Sequence, residues 1–333
     1  MIERKTLNAK YLQTLSWLDG GLVDWANGSR YFLNDESKSS THFSAFKWDS
    51  STASSDGKYA FIYQKLGTKG AILKDGKIIR EVNRSSYFAD TYEYPAAIFK
   101  AKNGRTYLIH CPVEYNRLEI EDIETGEIVT NVPERKPADF FHSRLEVNQA
   151  NSHFLSKGWV WHPVDFIGSF DVEACIKNPL LLDNGGLSPV ELRMEMEIGT
   201  ASFIDNGHIL FGTKELLADE TLDEEETFAV PPGHIAVWDI EANTISKPVK
   251  VDGKFGNLYA IDESFTWDTF GHPKIINIKT GKIEEEIKDI TSGEQDSSIR
   301  PKSDDPIKTF DSSTKQLAFG MGDKIEVLTW RTV

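Results

Sequence analysis

The chain has 333 residues, 39% of them hydrophobic and 11% aromatic, with 24 glycines and 13 prolines, and it carries 52 acidic against 37 basic side chains for a net charge of −15. That length admits a repeat array as readily as two domains, and the glycine and proline supply suits many short elements joined by tight turns rather than a few long helices. The acidity argues against nucleic acid or anionic lipid as a direct ligand, because both are bound by basic surfaces that displace counterions.

The opening MIERKTLNAKYLQTLSW is charged at once and has no apolar signal-like core, and no run elsewhere reaches the roughly 18 apolar residues of a membrane span. A soluble, cytoplasmic monomer is the expectation. Cys111 and Cys175 lie far apart in strand-like contexts and are expected to be reduced, packed thiols.

Taken in chain order, one pattern recurs. A mixed apolar segment meets a turn rich in Asp, Asn, Gly or Ser, and a compact apolar run follows. The copies are LSWLDGGLVDW, TASSDGKYAFIY, IFKAKNGRTYLIH, VNQANSHFLSK, SFIDNGHILFG, LYAIDESFTW and FDSSTKQLAFG. Their turns fall near Gly20, Gly57, Gly104, Ser152, Gly207, Glu263 and Thr314, with spacings of 37, 47, 48, 55, 56 and 51 residues, about what four short strands and their loops require. Between these copies stands a second pattern, alternating apolar residues on both sides of a polar turn, which is the signature of a β-hairpin. It is clearest in RLEIEDIETGEIV (117–129), HIAVWDIEANTIS (234–246) and PKIINIKTGKIEE (273–285), and weaker in GAILKDGKIIREV (70–82) and SFDVEACIKNPLLL (169–182).

Seven units of four antiparallel strands predict an all-β, seven-bladed β-propeller, a single domain over 1–333. On these repeats, and on Trp238-Asp239 within the hairpin at 234–246, the chain resembles a WD40-like or YVTN-like propeller, although the strict WD40 signature is absent. The last unit, DPIKTFDSS, KQLAFGM and KIEVLTW, is one strand short, while IERKTLN (2–8) has no unit of its own. The N-terminal segment is therefore expected to supply the outer strand of the last blade and close the ring.

Labelling the strands a to d outward from the axis, the d-to-a and b-to-c loops share one face, here called the top. The long connections 83–95, 131–142, 183–195 and 289–306 all fall there, with an acidic insertion at about 214–232 in blade five. Asp219, Glu220, Asp223, Glu224, Glu225 and Glu226 in that insertion, with His162 and Asp165 after Trp159 and Trp161, are the candidate partner-binding residues. Clustered exposed charge of one sign steers an oppositely charged partner. The two tryptophans offer an interface anchor or, equally, filling between blades.

His42, His110, His142, His162, His234 and His272 fall near the top and His153 and His208 near the bottom. No HExxH, nucleophile elbow, P-loop or dinucleotide fingerprint occurs, so no catalytic residue, cofactor or metal ligand is assigned. The expected function is a non-enzymatic module binding another protein, of basic character, through its top face, such as an inhibitor or immunity-type protein. The alternative is a propeller hydrolase or lactonase with a divalent metal at the channel mouth, for which Glu93, Asp139, His142 and Asp305 are the candidate ligands.

Overall fold

A computed structural model describes residues 1–34, 37–38, 46–161, 164–189, 197–215, 228–299 and 305–332. Its strands form seven small antiparallel sheets in sequence order, the blades of a seven-bladed propeller. Blade 2 shows the plan: Ser50–Ala53 inside, then Tyr59–Tyr63, Lys69–Lys74 and Lys77–Asn83 outside, each paired with the next. The turn between its outer strands is Asp75-Gly76, with φ of +50° and +76°. Such left-handed values match the twist of a two-residue hairpin and are cheap only for Gly, Asn and Asp.

Ile2–Asn8 pairs with Lys324–Trp330 from Ile2↔Trp330 to Asn8↔Lys324, so the N-terminal strand completes the last blade. Side chains reinforce that closure. Glu326 Oε2 accepts from Arg4 Nε at 2.9 Å and Thr6 Oγ1 at 2.8 Å, and the Ile2 amide donates to Glu285 of blade 6 at 2.8 Å.

The core is divided among the gaps between blades. Leu7, Leu22 and Val327 pack between blades 7 and 1, Val23, Trp48 and Ile62 between 1 and 2, and Tyr59, Ile72 and Leu108 between 2 and 3. Phe99, Ile120 and Phe154 fill the next gap, then Leu155, Phe211 and Trp238, then Leu210, Leu258 and Ile276, and finally Trp267, Ile275 and Phe319. Each blade is a two-faced sheet whose apolar faces are covered by its neighbours, so no blade has a core of its own. Cys111 and Cys175 are buried free thiols in one of these layers, where burial pushes Cys175 up to about 12.

Blade 4 departs from the plan. Its inner strand is broken into Phe140–Phe141 and Glu146–Val147, both paired with the long strand His153–Val160, which pairs in turn with Val164–Asp171. Where SFDVEACIKNPLLL suggested a hairpin, the chain forms a short helix, Val172–Lys177, and a 3-10 turn, Pro179–Leu182. Asp171 caps the helix by accepting from the Ala174 amide at 2.8 Å, and Val172 and Cys175, three residues apart, bury one helical face.

A candidate binding face over blades 3 and 4

The loop after blade 2 is organised from beneath by Arg84. Its guanidinium is buried and donates to the carbonyls of Gly67 at 2.7 Å, Ala89 at 2.7 Å and Tyr92 at 2.8 Å. It also lies over the rings of Tyr92 and Tyr94 at 4.5 and 5.0 Å. Burial draws its pKa below the usual arginine value. A planar cation that joins two carbonyls of this loop, Ala89 and Tyr92, to Gly67 in the turn between Tyr59–Tyr63 and Lys69–Lys74 fixes the loop's path against blade 2.

Arg84 thereby presents Tyr87 and Phe88. Phe88 holds φ of +50°, a left-handed conformation that is an outlier for a bulky side chain and costs about 1–2 kcal/mol. Its ring stands edge-on to Tyr87 at 4.8 Å and Trp161 at 5.5 Å. Beneath them Phe141 stacks on Trp159 at 3.8 Å and on Tyr115 at 4.2 Å. Trp159 is 2% exposed and serves as the floor, whereas Tyr87 at 44%, Phe88 at 39% and Trp161 at 39% face outward. Of the two tryptophans noted in the sequence, one is therefore core and the other surface. The Tyr115 hydroxyl donates to Asp139 at 2.6 Å, and its pKa is raised by partial burial first and by that carboxylate second. Asp90, Glu114, Glu134 and Asp139 are exposed on the same loops, with Lys136 the exposed base among them.

A strap runs beside this cluster. The segment after blade 6 leaves through Ser292 and Gly293, which bond Gly271 at 2.9 and 2.7 Å, and crosses to the far side of the ring, where Ile299 bridges Tyr92. On the way Gln295 donates to Glu93 at 3.1 Å and accepts from Asn257 at 2.8 Å. The Ser298 amide donates to Asp165 at 2.8 Å, and Arg144 reaches Ser298 Oγ at 2.7 Å, Gly199 O at 3.0 Å and Asn257 Oδ1 at 2.8 Å. Glu93 before blade 3, Arg144 and Asp165 of blade 4 and Asn257 before blade 6 thus hold the strap over the top of the channel, with Arg144 itself tied to blade 5 through Gly199. Gly256 lets it lie close, since a Cβ there would stand 2.1 Å from the Gln295 carbonyl oxygen.

These positions can be set against the sequence expectations. Asp219, Glu220, Asp223, Glu224, Glu225, Glu226 and His162 lie outside the described residues; the flanking strands His208–Thr213 and His234–Asp239 put the insertion in blade 5. Asp165, expected to face a partner, is 1% exposed. It belongs to the second long strand of blade 4, and its carboxylate, held by the Ser298 amide and 3.5 Å from Lys214 Nζ, anchors the strap instead.

The metal-site candidates disperse. Glu93 faces Gln295, Asp139 holds Tyr115, Asp305 lies beside Gly293, and His142 is buried with Nδ1 3.0 Å from Ser156 Oγ. Burial brings the His142 pKa down to about 3. Among the described residues no group of three His, Cys, Asp or Glu side chains is placed to share a metal ion. The aromatic cluster was not visible in the sequence as a unit; Trp159 and Trp161 gave one local signal, and the adjacent Tyr87-Phe88 pair is a second that was missed.

No protein-family model and no curated protein matches the chain. It is similar in fold to the crystal structure of a catalytically inactive variant of virginiamycin B lyase from Staphylococcus aureus with quinupristin. The two share 16% identity and a TM-score of 0.53, over 99% of this chain and 100% of that one.

Proposed function

We propose that this protein is a non-enzymatic binding module that receives a basic partner protein on its top face. The observation that carries this reading is the cluster of Tyr87, Phe88, Tyr115 and Trp161, outward rings in mutual contact, with Phe88 kept there against its backbone preference. Aromatic residues anchored on a packed floor and ringed by polar groups are what dominate protein interfaces energetically. The exposed acids on the same loops, the acidic insertion and the net charge of −15 support a basic partner through charge complementarity. An inhibitor or immunity-type role in the cytoplasm, as a monomer, fits this chemistry, as does the kinship with WD40-like or YVTN-like scaffolds.

Affinity capture from the native host with the intact protein and with a Phe88→Ala, Trp161→Ala double variant tests it. The intact form retains a basic protein in stoichiometric amount, and each substitution weakens that complex by about 2 kcal/mol or more. Equal retention by the double variant would remove the cluster from the interface. A version lacking residues 218–229 should lower the association rate and its salt dependence rather than abolish binding.

A second reading is an enzyme of the propeller hydrolase or lyase kind, which the likeness to virginiamycin B lyase supports at the level of fold. Stoichiometric metal in the purified protein, with turnover of a lactone or ester, would favour it over the binding reading.

A further inference from the structure

The inner strands of blades 2 to 7 enclose a cavity of about 340 Å³ along the ring axis. The exposed residues in its wall are Gln149, Asp205 and Ser312, all in the a-to-b turns of the bottom face, while Gln295 of the strap lines the opposite end. The channel therefore opens on the face away from the aromatic cluster.

Its charge is opposite to that of the molecule. Lys65, Arg144, Lys157, Lys308 and Lys315 line it against Glu93, Glu146 and Asp205. Glu146 accepts from Lys157 Nζ at 2.7 Å and the Phe203 amide at 2.9 Å, and Asp205 caps its own turn through the Gly207 and His208 amides, both at 2.8 Å. Lys308 Nζ lies 3.3 Å from Thr269 Oγ1 and 3.2 Å from Ser292 O, and Lys315 Nζ has one long contact, 3.5 Å, to Ala260 O. Among the described residues neither Lys65 nor Lys315 forms an ion pair. Burial lowers the Lys315 pKa, against the pull of Glu146 and of the turn acids Asp262, Asp311 and Asp205. Arg144 and Lys315 also hold left-handed backbone, with φ of +45° and +60°, and such strain in non-glycine residues gathers at ligand sites.

We infer that the channel binds a metabolite-sized organic oxyanion, a carboxylate or phosphate ester, which enters from the bottom face and lies between Lys315 at the entrance and Lys65 and Arg144 toward the strap. The volume falls at the lower end of the range for small-molecule sites, about 300–1,000 Å³. Half-buried ammonium groups without carboxylate partners gain more from an incoming anion than exposed ones do, because water screens them less. This site is separate from the partner-binding face and does not depend on it.

Titration calorimetry of the intact protein at low salt with citrate and with glucose 6-phosphate tests the inference. Expected is one saturable site per chain for at least one probe, weakened about tenfold or more by Lys315→Gln and by Lys65→Gln. Lys288→Gln, on the exposed surface, should leave it unchanged. The bound anion should also raise the unfolding temperature of the parent in a concentration-dependent way and do so less in both channel variants. No saturable binding of either probe up to about 10 mM, or equal weakening by the channel and surface variants, would overturn it. Two channel variants guard against one that fails to fold.

Discussion

Blade 6 and blade 4 occupy equivalent places in one ring, yet only the first keeps to the repeat. Leu258–Ala260, Phe265–Asp268, Lys274–Asn277 and Ile283–Glu286 pair in simple order. Blade 4 breaks its inner strand at Arg144, replaces its outer hairpin with a helix, and carries Phe141, Trp159 and Trp161 of the aromatic cluster. Irregularity and exposed apolar surface coincide there, as expected where local rules yield to function. On the proposed function, blade 6 serves stability and blade 4 with its flanking loops serves recognition.

The largest expected effect comes from removing what every blade shares. Deleting residues 1–8 opens the ring, exposes Lys324–Trp330 as an edge strand and removes the buried Leu7 from its layer with Leu22 and Val327; a loss comparable to the whole stability of a domain, about 5–15 kcal/mol, is expected, read as a chain that no longer unfolds cooperatively. An unchanged thermal transition would dismiss the closure as incidental. Next, Trp267→Ala in blade 6 removes a fully buried ring whose Nε1 donates to Lys315 O at 3.1 Å. Chemical denaturation should show a loss of about 3–5 kcal/mol with partner affinity retained by the folded fraction.

The two blades should also respond oppositely to acid. His142 of blade 4 is neutral when folded, with a pKa near 3 against an ordinary 6.5, so unfolding takes up a proton below pH 6.5 and stability falls as pH drops toward 3, by about 1.4 kcal/mol per unit. Asp268 of blade 6, 3.2 Å from Lys274, is raised to about 6 by burial, so the folded state holds its proton first and this group adds stability as pH falls from 6 toward the ordinary 3.8. His142→Gln should flatten the acid-side decline in urea midpoints. A decline of undiminished slope would place its origin elsewhere. The smallest effect on stability is expected from Phe88→Gly, which relieves a left-handed phenylalanine: a change within about 1 kcal/mol, yet partner binding lost. Equal losses of stability and binding would erase the division of labour between the blades.

The regular blades were legible because their turns demand particular residues. Asp75-Gly76 and Gly104 sit where φ is positive, and the apolar runs on either side become buried strands. The missing fourth strand of the last unit pointed to IERKTLN by simple counting. Blade 4 was less legible: Asp171 reads as a turn residue and as a helix cap alike, and only the tertiary space for Val172 and Cys175 decides. The aromatic cluster gathers residues from four separate segments, at 87–88, 115, 141 and 159–161, so no window of sequence contains it. The channel's charge was hidden for the same reason, since its charged residues come from strands, turns and loops of separate blades, among them Lys65, Arg144, Lys157, Lys308 and Lys315. Asp165, placed with His162 at the loop after Trp159 and Trp161 by the sequence reading, pairs with Trp159 inside the sheet.

The pairing of Ile2–Asn8 with Lys324–Trp330 also sets a timetable. The first strand of the ring to be synthesised has no partner until the last strand of the ring has emerged, roughly half a minute later at about 10 residues per second. Throughout that interval blades 1 to 6 can stack but the ring stays an open arc with two sticky ends. Final closure is the contact of greatest sequence separation in the molecule and so the slowest kind to form. A propeller built this way is most exposed to misassembly, and most in need of chaperoning, just before its last strand emerges.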